Sequence, residues 1–399
     1  MATKPTLALI PSGYGTNKVY SVLPSDGSGD FTFGRTGTAT RINKDKLIES
    51  VGSNIPRIDY TDSGCPSLLL EPQRTNSVNY SQEIDNAYWF KSNCSIIANL
   101  GISPDGSLNA DKLTTSVSVT GVIYRTGITT GSLSFFAKDV NLNTGKFRVS
   151  VDGVGSALWN KDGTLSQLSG SSTATDGISY GNGWLRFTLN VTSGSVVNYG
   201  IHDPTGSESI LIYGVQNEPS SVFSSSYIPT TGTSVTRIAE TANSSGNAST
   251  FNDSEGVLFA EISNSETTNG SYLGISNGGT SERLIIGNEG GFLRVYSDVN
   301  VDGNVQSANK DFNKIAVKYN SSNTSIYLNG FLIKSINQSA NLSGINELKF
   351  NSGGSGQNFH GKAKQLQYFN TALTDLELET LTSFTTFNAM ALNFNYTIY

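Results

Sequence analysis

The chain has 399 residues, 36% of them hydrophobic and only 15% charged, with 42 glycines and a formal net charge of −6. Globular chains average about 45–50% apolar and about 25% charged residues. Here Ser, Thr, Asn and Gly fill the gap, which argues against a helical bundle, a coiled coil or a helix-rich dinucleotide-binding enzyme. The 19 Phe, 17 Tyr and 3 Trp argue against full disorder. An acidic chain without basic runs is a poor match for nucleic-acid backbones, and no stretch reaches the roughly 18 apolar residues of a membrane-spanning helix.

The opening Met1-Ala2-Thr3-Lys4-Pro5-Thr6 leads only into the short apolar run Leu7-Ala8-Leu9-Ile10, too brief for a secretion signal. The expectation is folding in the cytosol, with Cys65 and Cys94 reduced. Residues 1–77 hold short extended pieces: Leu7-Ala8-Leu9-Ile10, Val19-Tyr20-Ser21-Val22-Leu23, Phe31-Thr32-Phe33 and Leu68-Leu69-Leu70. Turn signals such as Pro11-Ser12-Gly13 separate them. Such a region buries little surface alone. It reads as an extended arm for docking and oligomerisation, against the alternative of a small fold of its own.

Residues 78–239 carry a ladder of alternating segments: Gly121-Val122-Ile123-Tyr124-Arg125, Phe147-Arg148-Val149-Ser150-Val151 and Trp184-Leu185-Arg186-Phe187-Thr188-Leu189. Period-two alternation is the mark of half-buried strands, and so many of them predict a two-sheet sandwich. Residues 240–254 are small and polar and read as a linker. Residues 255–388 predict a second sandwich, with a hairpin at Asn329-Gly330. A single helix is predicted over 375–383, capped by Thr374 with Glu377 completing a capping box. Residues 389–399 alternate again and predict a terminal strand or tail that pairs with a sheet edge of this chain or a neighbour. The fold class is therefore all-β: two β-sandwiches in tandem after an extended N-terminal arm.

Two resemblances sharpen this. Residues 255–388 resemble the concanavalin A-like, laminin-G-like lectin sandwich, through Lys314-Ile315-Ala316-Val317-Lys318-Tyr319, the Tyr327-Leu328-Asn329-Gly330 hairpin and the block from Phe359-His360-Gly361 to Asp375-Leu376-Glu377. Residues 78–239 resemble the carbohydrate-binding-module-like jelly rolls of tailed-phage virion proteins. The residues that carry this are Ala87-Tyr88-Trp89, Gly181-Asn182-Gly183-Trp184, Tyr213-Gly214-Val215-Gln216-Asn217-Glu218, Ser226-Tyr227-Ile228-Pro229 and Thr236-Arg237. Residues 31–43 and 68–76 look like the start of phage fibre, spike or head-decoration proteins.

For catalysis, the only two histidines, His202 and His360, fall in separate predicted domains, so neither a Ser-His-Asp arrangement nor a zinc site is assembled. Glycoside hydrolysis requires two carboxyl groups on one cleft, about 5–10 Å apart. The Glu-X-Asp-X-X-Glu strand of lectin-like glucanases is not matched by Glu255, Glu261 and Glu266. The sequence therefore predicts no enzyme, no catalytic residue, no metal site and no cofactor. Sugars are held by aromatic faces with polar side chains on the hydroxyls. Trp184 alternates with Phe187 and reads as core, while Trp89 lies between Tyr88 and Phe90, and one of these three must point outward. Trp159, at a strand-to-turn junction, is the least core-like Trp, with rim packing as the competing reading. Tyr272, Tyr296 and Asn300 are the candidates in the second sandwich. The run Asp298-Val299-Asn300-Val301-Asp302-Gly303-Asn304 places oxygens at alternate positions but reads as a plain polar turn.

The resemblance implies a phage virion structural surface protein: a head fibre or spike, a capsid decoration or a tail-fibre component. Its N-terminal region would dock on capsid, portal-vertex or tail proteins, as a homo-oligomer such as a trimer, and its sandwiches would meet host or mucosal glycan. Competing readings are an architectural cement that binds no sugar, a polysaccharide-depolymerising tailspike and a secreted adhesin. Neither nucleic acid nor membrane insertion is expected.

Overall fold

The structure is a computed structural model that describes residues 3–384, 389, 390 and 392, apart from positions 63, 130, 266–269, 298–302, 308–311, 341 and 355. The described residues form an all-β sandwich fold in which every ladder between named strands is antiparallel. No described helix is long and apolar enough to cross a membrane. An α-helix spans Asp375–Ser383. Its cap is the predicted one: Glu377 N donates to Thr374 Oγ1 at 3.3 Å, and Thr374 N donates to Glu377 Oε2 at 2.8 Å. The Asn329-Gly330 hairpin also forms. Both residues take positive φ, 50° and 94°, the left-handed conformation a tight primed turn demands.

The chain divides into two units that differ from the predicted tandem. Unit 1 comprises residues 1–36, 52–72 and 239–399; unit 2 comprises 37–51 and 73–238. Residues 1–77 are thus no free arm. In unit 1, an eight-stranded sheet runs from Phe331–Ile336 through Thr324–Leu328, Asn313–Tyr319, Gly256–Asn264, Gly361–Phe369 and Ser67–Leu70 to Arg57–Asp59. Leu7–Leu9 also pairs with Gly361–Phe369, with Leu7 opposite Tyr368. A five-stranded sheet that includes Ser271–Ser276 and Arg283–Glu289 completes the sandwich. Leu7, Leu9, Leu68 and Leu70 lie fully buried in one core with Leu258, Leu273 and Ile286. The early segments are short because they add single strands to a sheet built by distant residues.

The predicted linker is corrected in the same way. Thr241–Asn243 pairs with Phe31–Gly34, and Ala242 is buried. Glu240 is a buried carboxylate that meets Arg35 Nη1 at 2.7 Å and Arg57 Nε at 2.8 Å. Arg57 also reaches Glu71 at 2.7 Å. The helix covers the outer face of the eight-stranded sheet, packing Leu378 and Leu381 on Val257, Phe259, Tyr327 and Phe369. Met390 joins this cluster. Positions 391 and 393–399, where alternation predicts a terminal strand, lie outside the described residues.

Unit 2 packs a seven-stranded sheet against a six-stranded one. The first includes Leu108–Thr115, Ser209–Pro219, Gly131–Asp139 and Leu185–Val191. The second runs Phe90–Ser92, Gly121–Thr126, Val196–His202, Lys146–Val151, Gly155–Trp159 and Leu165–Gly170. Leu133, Phe135, Phe147, Val149, Phe187 and Tyr199 fill the space between. The outer face of the seven-stranded sheet is capped: Ile42 and Ile48, from the Ala39–Ile42 and Ile48–Val51 hairpin, pack on Phe136, Trp184, Tyr213 and Tyr227. The sequence blocks ending in Glu218 and Arg237 serve the fold. Buried Glu218 accepts from Ser225 N at 2.9 Å, and Arg237 Nη1 donates to Ser225 Oγ at 3.0 Å and Ser226 Oγ at 2.9 Å.

Candidate functional site

The six-stranded sheet of unit 2 has alternating strands, so each sends its apolar residues inward and its polar residues to the opposite face. In Lys146–Val151, Phe147, Val149 and Val151 go to the core, which leaves Lys146, Arg148 and Ser150 outside. Register then aligns these outward residues across strands. Phe90 stands opposite Tyr124, Tyr124 opposite Asn198, and Asn198 opposite Ser150. Ser150 stands opposite Ser156, and Ser156 opposite Ser169. One row of aromatic, amide and hydroxyl side chains thus crosses the whole sheet.

The neighbouring row places Gly200 between Val122 and Arg148. A Cβ on Gly200 would collide with the carbonyl oxygen of Gly121, so the close strand approach here requires glycine. The absent side chain also leaves room beside Arg148. Arg148 Nε donates to Ser150 Oγ at 3.1 Å, and its Nη1 meets His202 Nδ1 at 3.0 Å. Asn198 Nδ2 donates to Asp152 Oδ1 at 2.8 Å, and the hydroxyls of Ser156 and Ser169 lie 2.8 Å apart. Between these groups is an open depression of about 290 Å³, lined among others by Arg148, Ser150, Asp152, Ser156 and Ser169. That is close to the lower end of the ~300–1,000 Å³ typical of small-ligand clefts. Ser150, only 2% exposed, forms part of the floor. At the far end of the row Phe90 is 44% exposed, with its ring 5.2 Å from Tyr124 and the Arg125 guanidinium 5.5 Å from its centroid.

Burial lowers the pKa of Arg148, and the attraction of Asp152 opposes that shift. Burial, then the positive charge of Arg148, lowers the pKa of His202 below its usual 6.5. At neutral pH the His202 ring is therefore uncharged, and its Nδ1 accepts from Arg148. The face combines donors, acceptors and an exposed aromatic edge without a metal: among the described residues no group of three or more His, Cys, Asp or Glu could hold one.

The residues singled out from sequence fall elsewhere. Trp159 is 0% exposed, its Nε1 donates to Thr175 O at 2.7 Å and its ring packs 4.9 Å from Phe187. It is a core residue, because the carbonyl of Thr175 satisfies its one polar atom and lets the whole ring enter the sandwich. Trp89 and Trp184 are buried likewise. Tyr272, in unit 1, is 4% exposed and donates its hydroxyl to Glu289 Oε2 at 2.9 Å, so it presents no open face. Tyr296 is half-buried under the Arg283 guanidinium, 4.9 Å from the ring centroid. Asn300 lies outside the described residues. The sequence alone singles out none of Tyr124, Arg148, Ser150, Ser156 and Asn198. The available signal was polar residues at alternate positions in successive strands, which by itself looks like any solvent-facing side.

No protein-family model matches the chain, and no curated protein matches it. Among solved structures, the CBM40 of the Ruminococcus gnavus IT-sialidase bound to alpha2,3 sialyllactose is similar at 16% identity and a TM-score of 0.29, over 35% of this chain and 92% of that one. A second structure, of the Ruminococcus gnavus IT-sialidase CBM40, gives the same values. The Trypanosoma rangeli sialidase in complex with the inhibitor DANA is similar at 10% identity and a TM-score of 0.30, over 84% of this chain and 67% of that one. At these levels no ligand and no residue role transfers. The expectation that the chain is not an enzyme is not upheld: a sialidase is among the structures similar to the chain.

Proposed function

We propose that the chain binds glycans through the outward face of the six-stranded sheet in unit 2. The observation that carries this is the aligned row Phe90, Tyr124, Asn198, Ser150, Ser156 and Ser169 beside an open depression. Sugar hydroxyls both donate and accept, and this row offers both roles at strand spacing. The C–H side of a sugar ring needs an aromatic surface, and Phe90 with Tyr124 supplies it. The depression suits one or a few sugar units, so single-site affinity is weak, and display of many copies raises it.

A glycan array probed with the full chain, followed by titration of the best binder, tests this. Asn198→Ala should weaken binding by about tenfold, the worth of a lost buried hydrogen bond, and lower stability by about 1–3 kcal/mol through the lost Asp152 contact. A folded chain that binds no glycan overturns the reading.

The finer placement belongs to the same proposal: the chain stands on the surface of a tailed-phage particle, associates with itself and with capsid, portal-vertex or tail proteins, and meets host or mucosal glycan there. The sequence resemblance through residues 31–43, 68–76 and 213–237 supports it. Mass spectrometry of purified particles tests it, and absence of the chain from intact virions overturns it.

A further inference from the structure

We propose that the depression beside Arg148 recognises the carboxylate of an acidic sugar. The inference rests on the glycan-binding reading of the same face and names its ligand class. Four guanidinium groups of this protein that are partly or fully withdrawn from water touch a carboxylate: Arg35 and Arg57 meet Glu240, Arg41 meets Glu49, and Arg294 meets Glu289, whereas buried Arg186 donates to the Ser225 carbonyl and the Ser134 hydroxyl. Arg148 is half-buried, and its contacts are neutral, the Ser150 hydroxyl and the His202 imidazole. No described carboxylate lies within ion-pair distance of it. Its Nη2 group has no hydrogen-bond partner among the described residues, and Arg148 lines the depression.

A cation drawn partly out of water without a directly paired counter-charge is costly. Here two neutral anchors fix the guanidinium in place, so the planar fork is already ordered when a ligand arrives. A planar carboxylate matches that fork with two parallel hydrogen bonds, a geometry a neutral hydroxyl does not reproduce.

The other charges around the site set the sign of each test. Lys146 lies on the same strand and binds the Ser166 hydroxyl at 2.7 Å. Asp152 lines the same depression and attracts Arg148 through space, while its Oδ1 is held by Asn198. It is the like charge that an incoming carboxylate must tolerate. His202 feels Arg148 and Lys146 as repulsions and Asp203 as an attraction. A bound carboxylate offsets the repulsion from Arg148, so it raises the pKa of His202. The sequence contains only two histidines, and His360, in unit 1, serves as an internal reference.

The experiment titrates the full chain with trigalacturonate, its neutral methyl ester, N-acetylneuraminic acid and lactose, by calorimetry and by histidine NMR. The acidic sugars should bind at least about tenfold more tightly than the ester and lactose, the scale of a charge-assisted pair over a neutral one. Uronate against neuraminate tells which carboxylate source fits. Arg148→Gln should abolish the preference, and Asp152→Asn should strengthen acidic-sugar binding several-fold. The His202 titration should move up on binding while that of His360 stays put. Equal binding of acid and ester, or a preference that survives Arg148→Gln and ignores Asp152→Asn, overturns the ligand class while glycan binding stands. Failure of all four sugars, and of every glycan on the array, overturns the glycan reading itself.

Discussion

Arg57 Nε donates to Glu240 Oε1 at 2.8 Å across 183 residues of sequence, and neither side chain is exposed. The peptide groups join in: Glu71 N donates to Glu240 Oε2 at 3.0 Å, and Glu240 N donates to Glu71 O at 3.1 Å. Burial works against the Arg57 charge, but Glu240 and Glu71 outweigh it and hold its pKa above the usual value. Every partner here compensates another. Glu240→Ala would leave the guanidinium groups of Arg35 and Arg57 buried with their main counter-charge gone. Breaking one side of a buried pair costs about 3–5 kcal/mol, and denaturant unfolding should show a loss of that order. A loss below about 1 kcal/mol, the range of surface pairs, would mean water reaches the cluster.

The fate of the first residues separates a docking arm from a structural strand. Leu7 and Leu9 are fully buried, and Leu7–Leu9 pairs with Gly361–Phe369. Burying a leucine contributes about 1.5–3 kcal/mol, so deletion of residues 3–10 should cost about 3–6 kcal/mol from these two side chains. The measurement is the melting temperature of the isolated full chain against the deletion. An arm that orders only on a neighbour predicts no change in the isolated chain.

Features that depend on near neighbours in the chain are legible in the sequence. The Thr374–Glu377 box and the Asn329-Gly330 turn depend on residues a few positions apart, and both form as predicted. Alternation likewise placed the strands around Phe147 and Phe187. What failed depended on distant partners. Nothing near Leu7 says that it faces Tyr368, and nothing in the small polar run after Glu240 says that its carboxylate meets Arg35 and Arg57. Trp159 precedes a turn and so reads as the least core-like Trp, but the carbonyl that satisfies its indole lies on Thr175, beyond that turn. The row from Tyr124 to Ser169 exists only once five strands are in register, so no single segment announces it.

Trp159 and Phe90 give opposite outcomes for the two meanings of an aromatic residue in unit 2. Trp159 packs against Phe187 inside the sandwich, whereas Phe90 stands exposed at the end of the polar row. Trp159→Ala should cost about 3–5 kcal/mol of stability, the usual range for a large core aromatic. Phe90→Ala should change stability by less than about 1 kcal/mol and weaken glycan binding, because an exposed ring loses little packing and much ligand contact. Paired unfolding and binding measurements distinguish them. A Phe90→Ala protein that binds sugar as well as the parent would take the aromatic end out of the site.

His202 makes the stability of unit 2 sensitive to acid. Its folded-state pKa lies below the 6.5 of an unfolded histidine, first through burial and then through Arg148. Between those two values the unfolded chain binds more protons than the folded one. Stability therefore rises with pH through that window, is complete above about 6.5, and is lost as the pH falls through the lower, folded-state value. Protonation at Nδ1 also removes the acceptor that Arg148 uses and sets two cations face to face. Melting temperatures at pH 7.5 and 5.5 should thus differ more for the parent than for His202→Asn, whose side-chain oxygen can accept from Arg148 and never charges. The comparison cancels the carboxylates, which titrate alike in both proteins. An acid sensitivity unchanged in His202→Asn would place the titrating group elsewhere and leave the Arg148 contact without electrostatic consequence.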